Sequence, residues 1–159
     1  MSGALRLVCF EVRGQELALP IASVRETLPI QPITRVVLTP PALAGVFSLR
    51  GDIVPAIDLA VLLGLPPSEI HDDSRIVVIE SGHGAAGIIV DRLRDLRMLD
   101  QALEPPPGNV AAGVTQLLAG MAATPTGTVR VLDAQAIVSA EPLRALARTA
   151  ADPEEGRHR

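Results

Sequence analysis

Side chains able to do covalent or acid–base chemistry are few in this sequence, and they are scattered. The histidines are His71, His83 and His158, and the single cysteine is Cys9. Metal ligation needs a converging set of such groups. Here no two histidines share an i, i+4 spacing, and none neighbours the cysteine. Neither a metal nor a cofactor is expected. The chain contains no lysine, which removes the phosphate-binding lysine of a P-loop and any Schiff-base lysine. No G-x-S-x-G is present, and Cys9 lies in an alternating apolar run that reads as core. One motif invites chemistry: Gly82-His83-Gly84-Ala85-Ala86-Gly87 is a literal G-x-G-x-x-G following a strand-like run. Its surroundings favour a simple glycine turn. Ile88-Ile89-Val90 is a poor first turn of a helix. Where a ribose-binding acid should end a second strand, about twenty residues on, the chain reads Leu103-Glu104-Pro105-Pro106-Pro107. A small dinucleotide-binding enzyme using Gly82 to Gly87 is therefore the remote alternative, and no catalytic residue is assigned.

The composition narrows the partners. Of 159 residues, 48% are hydrophobic, which supports a packed core without disulfide or metal. The net charge is −4 and the only aromatic residues are Phe10 and Phe47. A nucleic-acid surface wants a basic face and stacking rings, so none is expected. The uncharged stretch from Pro105 to Val129 is long enough to raise a membrane question. Prolines, glycines, Asn109 and Gln116 interrupt it, so buried strands and loops fit better than a membrane span. The N-terminus carries no pattern of a secretory signal, and a lone cysteine suits a reducing compartment.

The elements that must position any functional surface are short strands. Val8, Phe10 and Val12 alternate, Gly14 interrupts, and Leu17, Leu19 and Ile21 alternate again, which predicts a hairpin. Ala22 to Glu26 reads as a short link and Ile33 to Leu38 as a third strand. Two apolar runs flank Gly51-Asp52, a two-residue hairpin signal. Pro55 places its strand at an edge or a bulge. Asp58 and Asp133 are each placed to cap a short helix. Further strands are expected at Arg75 to Glu80, Ala86 to Val90, within Asp91 to Leu99, Gly113 to Ala122 and Thr128 to Leu132. Glu141 to Thr149 has helical spacing, and 150–159 reads as a disordered polar tail.

The two halves look like copies. Ile21-Ala22-Ser23-Val24-Arg25-Glu26 falls on Val90-Asp91-Arg92-Leu93-Arg94-Asp95. Ala44-Gly45-Val46 matches Ala112-Gly113-Val114, and Asp58 matches Asp133. The chain, 1–149, is thus expected as one domain with lobe one at about 5–70 and lobe two at about 74–140, terminal segments being free to cross between them. A half this small cannot bury enough apolar surface alone, so the lobes should share a hydrophobic seam.

Residues 44 to 64, A-G-V-F-S-L-R-G-D-I-V-P-A-I-D-L-A-V-L-L-G, resemble the G-V-x-N-L-R-G-x-I-V-P-x-I-D-L signature of CheW-like domains. I-A-S-V-R-E at 21 to 26 and G-I-I-V-D-R-L-R-D-L at 87 to 96 resemble two further motifs of that family. Ser48 departs from the usual asparagine. The resemblance implies an all-β fold with short helices: two pseudo-symmetric five-stranded SH3-like β-barrels. It also implies a non-catalytic adaptor coupling chemoreceptor cytoplasmic tips to the regulatory domain of a CheA-type histidine kinase. Such an adaptor is cytoplasmic, peripheral to the inner membrane through receptor arrays, and not inserted in the bilayer. An adaptor of a twitching or other non-flagellar pathway is the alternative within the family. Carried over residue by residue, Val24 and Glu26 either line a receptor-facing groove or are a core valine and a solvated acid, and Val90 and Leu93, their second-lobe counterparts, either line that groove or fill the shared core. Val46, Leu49 and Val54 form either a kinase contact or the filling of the first barrel. Arg50, before Gly51 at a hairpin tip, either contacts a partner or pairs internally with an acid such as Glu26 or Asp58.

Overall fold

A computed structural model describes residues 5–82, 84–106, 108, 112–125 and 127–140. The first alternating run forms β1 (Leu5–Val12) and β2 (Gln15–Pro20), joined by a tight turn at Arg13-Gly14. A single 3₁₀ turn (Ile21–Ser23) leads into β3 (Val24–Pro29), so most of the expected link is strand. Next come β4 (Leu43–Leu49), β5 (Asp52–Asp58) and α1 (Leu59–Leu62). The second half supplies β6 (Arg75–Ser81), β7 (Gly84–Val90), β8 (Arg92–Leu99), α2 (Ala112–Thr115), β9 (Leu118–Thr124), β10 (Gly127–Leu132) and α3 (Ala134–Val138). The expected strand at Ile33 to Leu38 is reduced to one bridge, Thr34 to Val46, because the chain turns at Val37-Leu38, where Leu38 takes a left-handed φ of 62° and leaves the ladder. The expected helix after Glu141 and the tail at 150–159 lie outside the described residues.

Two five-stranded sheets result, ordered β8-β1-β2-β10-β9 and β3-β6-β7-β5-β4. If β1 to β5 are matched in order with β6 to β10, the second sheet is the first with every strand replaced by its copy. Each sheet therefore takes strands from both sequence halves: the opening hairpin of one half is completed by the third strand and closing hairpin of the other. The strand exchange is wider than the terminal crossing expected of lobes at 5–70 and 74–140. Neither sheet is closed by hydrogen bonds between its edge strands.

The exchange has a packing cause. β1, β2, β6 and β7 are apolar on both faces, so each must be covered twice. In β1, Phe10 and Val12 face a central core shared with Val77, Ile79, Ile88 and Val90, while Leu7 and Cys9 face a second core with Ala18, Val129 and Val131. In β6, Val77 and Ile79 face the shared core, while Ile76 and Val78 face a third core with Phe47, Leu49, Val54 and Ala56. The central core is the predicted seam, and Leu117 and Leu118 of the uncharged stretch join it.

Both helix caps form as expected. The Asp58 carboxylate accepts from the backbone N–H groups of Ala60 and Val61 at 3.1 and 3.4 Å, and from Ser68 N and Oγ at 3.0 and 2.8 Å. Asp133 accepts from Gln135 N and Ala136 N at 3.0 and 3.2 Å. The A-G-V match between the halves does not hold, because Ala112–Thr115 is helical. The structural copy of Gly45 is Gly120. Each sits where the preceding loop crosses the edge strand, through the bridges Thr34 to Val46 and Glu104 to Met121. A Cβ on Gly45 would lie 2.2 Å from the Thr34 carbonyl oxygen, and one on Gly120 would lie 2.7 Å from Leu103 Cβ.

Candidate functional site: two docking surfaces

The G-x-G-x-x-G segment is a β-hairpin. Ser81 pairs with Gly84 across its turn, and the chain continues as β7. A Cβ on Gly87 would lie 2.7 Å from Ile76 Cγ2 and from Phe47 Cε1, so that glycine serves packing within the sheet. No helix N-terminus follows to meet a phosphate, and the dinucleotide reading is overturned. Cys9, Glu16 and Asp95 bring ligand-type atoms within 4.8 Å of one another. The positive charge there is Arg97, 3.5 Å from both carboxylates. Burial pushes the Cys9 thiol up to about 11, the nearby Arg97 opposing the shift only in part. His71 accepts at Nδ1 from the Asp73 N–H at 3.1 Å, while His83 and His158 lie outside the described residues.

The β4–β5 hairpin presents one surface. Leu49 pairs with Asp52, so the two-residue turn is Arg50-Gly51 and not Gly51-Asp52. Both turn residues have positive φ, 52° and 89°, as a type I′ turn requires. Alternation then sorts the side chains. Phe47, Leu49 and Val54 point into the third core, whereas Val46, Ser48, Ile53 and Pro55 share the opposite face. Leu49 and Val54, two of the expected contact residues, are thus buried and shape the strands from behind. Val46 is half-buried, and Ile53 is 69% exposed, a surface residue the sequence reading missed. Pro55 sits just before the parallel ladder to β7, which begins at Ala56, so its missing N–H leaves no ladder bond unmade.

Arg50 points from the turn to Glu26 on β3. Nη1 and Nη2 donate to the two carboxylate oxygens at 2.5 and 2.9 Å. Because β3 is the far edge of the same sheet, this forked pair joins edges that no backbone bond connects.

The second surface lies along edge strands β3 and β8. Val24 and Leu93, expected as counterparts, both pack against the rim of the central core, whereas Val90 is fully buried within it. Each strand carries a bulge at the same place in the duplicated unit. Val24 pairs with Ile79 and Glu26 with Val78; Leu93 pairs with Phe10 and Leu96 with Val8. In an unbroken strand, Leu93 and Leu96 would face opposite ways. The extra residue at the bulge brings both to the face that carries Val8 and Phe10. Leu96 and Met98 are left 67% and 62% exposed. With Ile21, Arg6 and Arg97 they line an open depression of about 270 Å³. Large apolar side chains left in water side by side make this face a candidate docking surface.

No helix among the described residues is long and apolar enough to cross a membrane. The CheW-like domain profile matches residues 6–141. The chain is 30% identical to the chemotaxis protein CheW of Bacillus subtilis, over 86% of this chain and 88% of that one. It is also 30% identical to protein FrzA of Myxococcus xanthus, over 88% and 89%. Among solved structures it is similar to the scaffolding protein TtCheW from Thermoanaerobacter tengcongensis, with a TM-score of 0.74 and 30% identity over 81% of this chain and 84% of that one. The chain belongs to the CheW-like domain family and is a non-catalytic scaffold of chemotaxis signal transduction.

Proposed function

We propose that this chain couples the cytoplasmic tips of chemoreceptors to the regulatory domain of a CheA-type histidine kinase, using a different face for each. Receptor tips dock on the β3–β8 surface, at Val24, Leu93, Leu96, Met98 and Ile21. Val90 supports that surface from the core behind it. The kinase docks on the hairpin of Val46, Arg50, Gly51 and Ile53, with Leu49 and Val54 holding the strands from within and Glu26 fixing the arginine. The observation that carries this reading is that exposed apolar side chains stand at two separate places on one body, Leu96 and Met98 with Ile21 at β8 and Ile53 on the β4–β5 hairpin. Each contact can be modest, since micromolar binding is about −8 kcal/mol, and a repeating array adds strength through multivalency. A receptor signal would pass as a small shift of packed strands. The chain would sit in the cytoplasm, held near the inner membrane by the receptors.

The test is binding of two folded variants to a receptor cytoplasmic fragment and to the kinase, measured separately. Leu96→Arg should lose the receptor and keep the kinase, and Ile53→Arg should do the reverse. Retention of both partners by both variants would reject the assignment.

A further inference from the structure

The arginines along β8 are committed to acids of this chain. Arg92 and Arg94 reach Glu11 at 3.5 and 2.8 Å, and Arg97 reaches Glu16 and Asp95. Arg6 differs. It lies on β1 directly across from Met98, so the two side chains share a face and line the same depression. It is exposed and forms no ion pair among the described residues. A guanidinium unpaired among the described residues thus stands beside Ile21, Leu96 and Met98 at the lip of the apolar surface, in a chain whose net charge is −4.

We propose that Arg6 is a specificity-determining residue, and that the receptor segment docking here carries a large apolar side chain with a carboxylate close beside it. The apolar group fills the depression between Leu96 and Met98, and the carboxylate takes the free fork of Arg6 in a two-bond pair. The inference rests on the receptor-docking reading and adds the chemistry of the receptor residue that is read. An arginine at the rim of an apolar contact acts mainly through selection and association rate, and its effect shrinks as salt rises.

The experiment measures binding of the full chain to a soluble cytoplasmic fragment of a chemoreceptor from the same genome, at low and high salt. Arg6→Glu should weaken binding about tenfold at low salt and much less at high salt. Arg6→Lys should recover part of the loss, and reversing the facing receptor carboxylate to lysine should restore Arg6→Glu. If Leu96→Arg abolishes binding while Arg6→Glu binds like the parent at low salt, the inference is overturned and receptor docking stands. If neither substitution alters binding, the depression is not the docking site and the inference falls. If the parent chain does not bind, the receptor reading fails and takes the inference with it.

Discussion

Arg50 and Glu26, 24 residues apart in sequence, form a forked ion pair that ties the β4–β5 turn to the opposite edge of its own sheet. The pair is asymmetric in burial, with the Arg50 side chain 66% exposed and Glu26 at 18%. A solvated pair of this kind contributes at most about 1 kcal/mol. Arg50 also holds a left-handed backbone, which costs a non-glycine residue about 1–2 kcal/mol. Arg50→Asn removes the pair and relieves part of that strain, so its stability should lie within about 0.5 kcal/mol of the parent in urea unfolding. Kinase binding should nevertheless fall. Arg50→Glu should weaken binding further by setting two carboxylates together, while circular dichroism shows the fold intact. Unchanged co-sedimentation of folded Arg50→Glu with receptor and kinase would remove Arg50 from the interface.

Gly45 and Gly120 should resist substitution for a steric reason. A Cβ on Gly45 meets backbone at 2.2 Å, and neither the loop nor strand β4 can yield without breaking the Thr34 to Val46 bridge. Gly45→Ala and Gly120→Ala are each expected to cost more than about 2 kcal/mol. Gly113, in α2, has nothing within 4 Å of an added Cβ. Gly113→Ala should be neutral or stabilise by about 0.5–1 kcal/mol. Thermal melts of the three variants separate these outcomes.

The two aspartate caps should differ in weight. Asp133→Ala loses a helix cap worth about 1 kcal/mol. Asp58→Ala loses the same cap together with both bonds to Ser68, which pin the connector between the sequence halves. The Asp58 variant should therefore lose more in urea unfolding, by roughly another 1–2 kcal/mol. It should also expose residues near Ser68 to limited proteolysis. Equal losses would mean that the connector is not held there.

Alkaline pH isolates one group. The chain has neither lysine nor tyrosine, so Cys9 is the side chain that titrates between pH 9 and 11. Its folded value of about 11 stands above the ordinary 9.0. The unfolded thiol therefore ionises first, and rising pH favours unfolding. The contribution is complete below pH 9, falls between pH 9 and 11, and is gone above that, a change of roughly 2 kcal/mol. Cys9→Val should flatten this part of the stability profile. A parent chain with the same flat profile would contradict the burial of the thiol.

Much of the fold was legible because its cues are local. Alternation around Phe10, the Asp58 and Asp133 caps and the repeat of Val24-Arg25-Glu26 as Leu93-Arg94-Asp95 all survive in three dimensions. The exchange of strands between halves was not legible, because Arg130 pairing with Leu17 leaves no trace in either neighbourhood. The A-G-V identity misled because Ala-Gly occurs twice in the second half: the true copy of Leu43-Ala44-Gly45 is Leu118-Ala119-Gly120, where a chain crosses over the glycine, and not Ala112-Gly113. Leu96, Met98 and Ile53 escaped notice because an apolar residue on an outward face has the same letter as one in a core. For Leu96, only the bulge in β8 decides which way it points. Nothing in the sequence separates Arg6 from the other arginines; the pairing of β1 with β8 is what sets it opposite Met98.

The most direct test sediments receptor-bearing membranes with the kinase, in the presence and absence of this chain. The chain should pellet with the receptors, and the kinase should join the pellet only when the chain is present. A chain that stays in the supernatant, or a kinase recruited equally well without it, would contradict the coupling role.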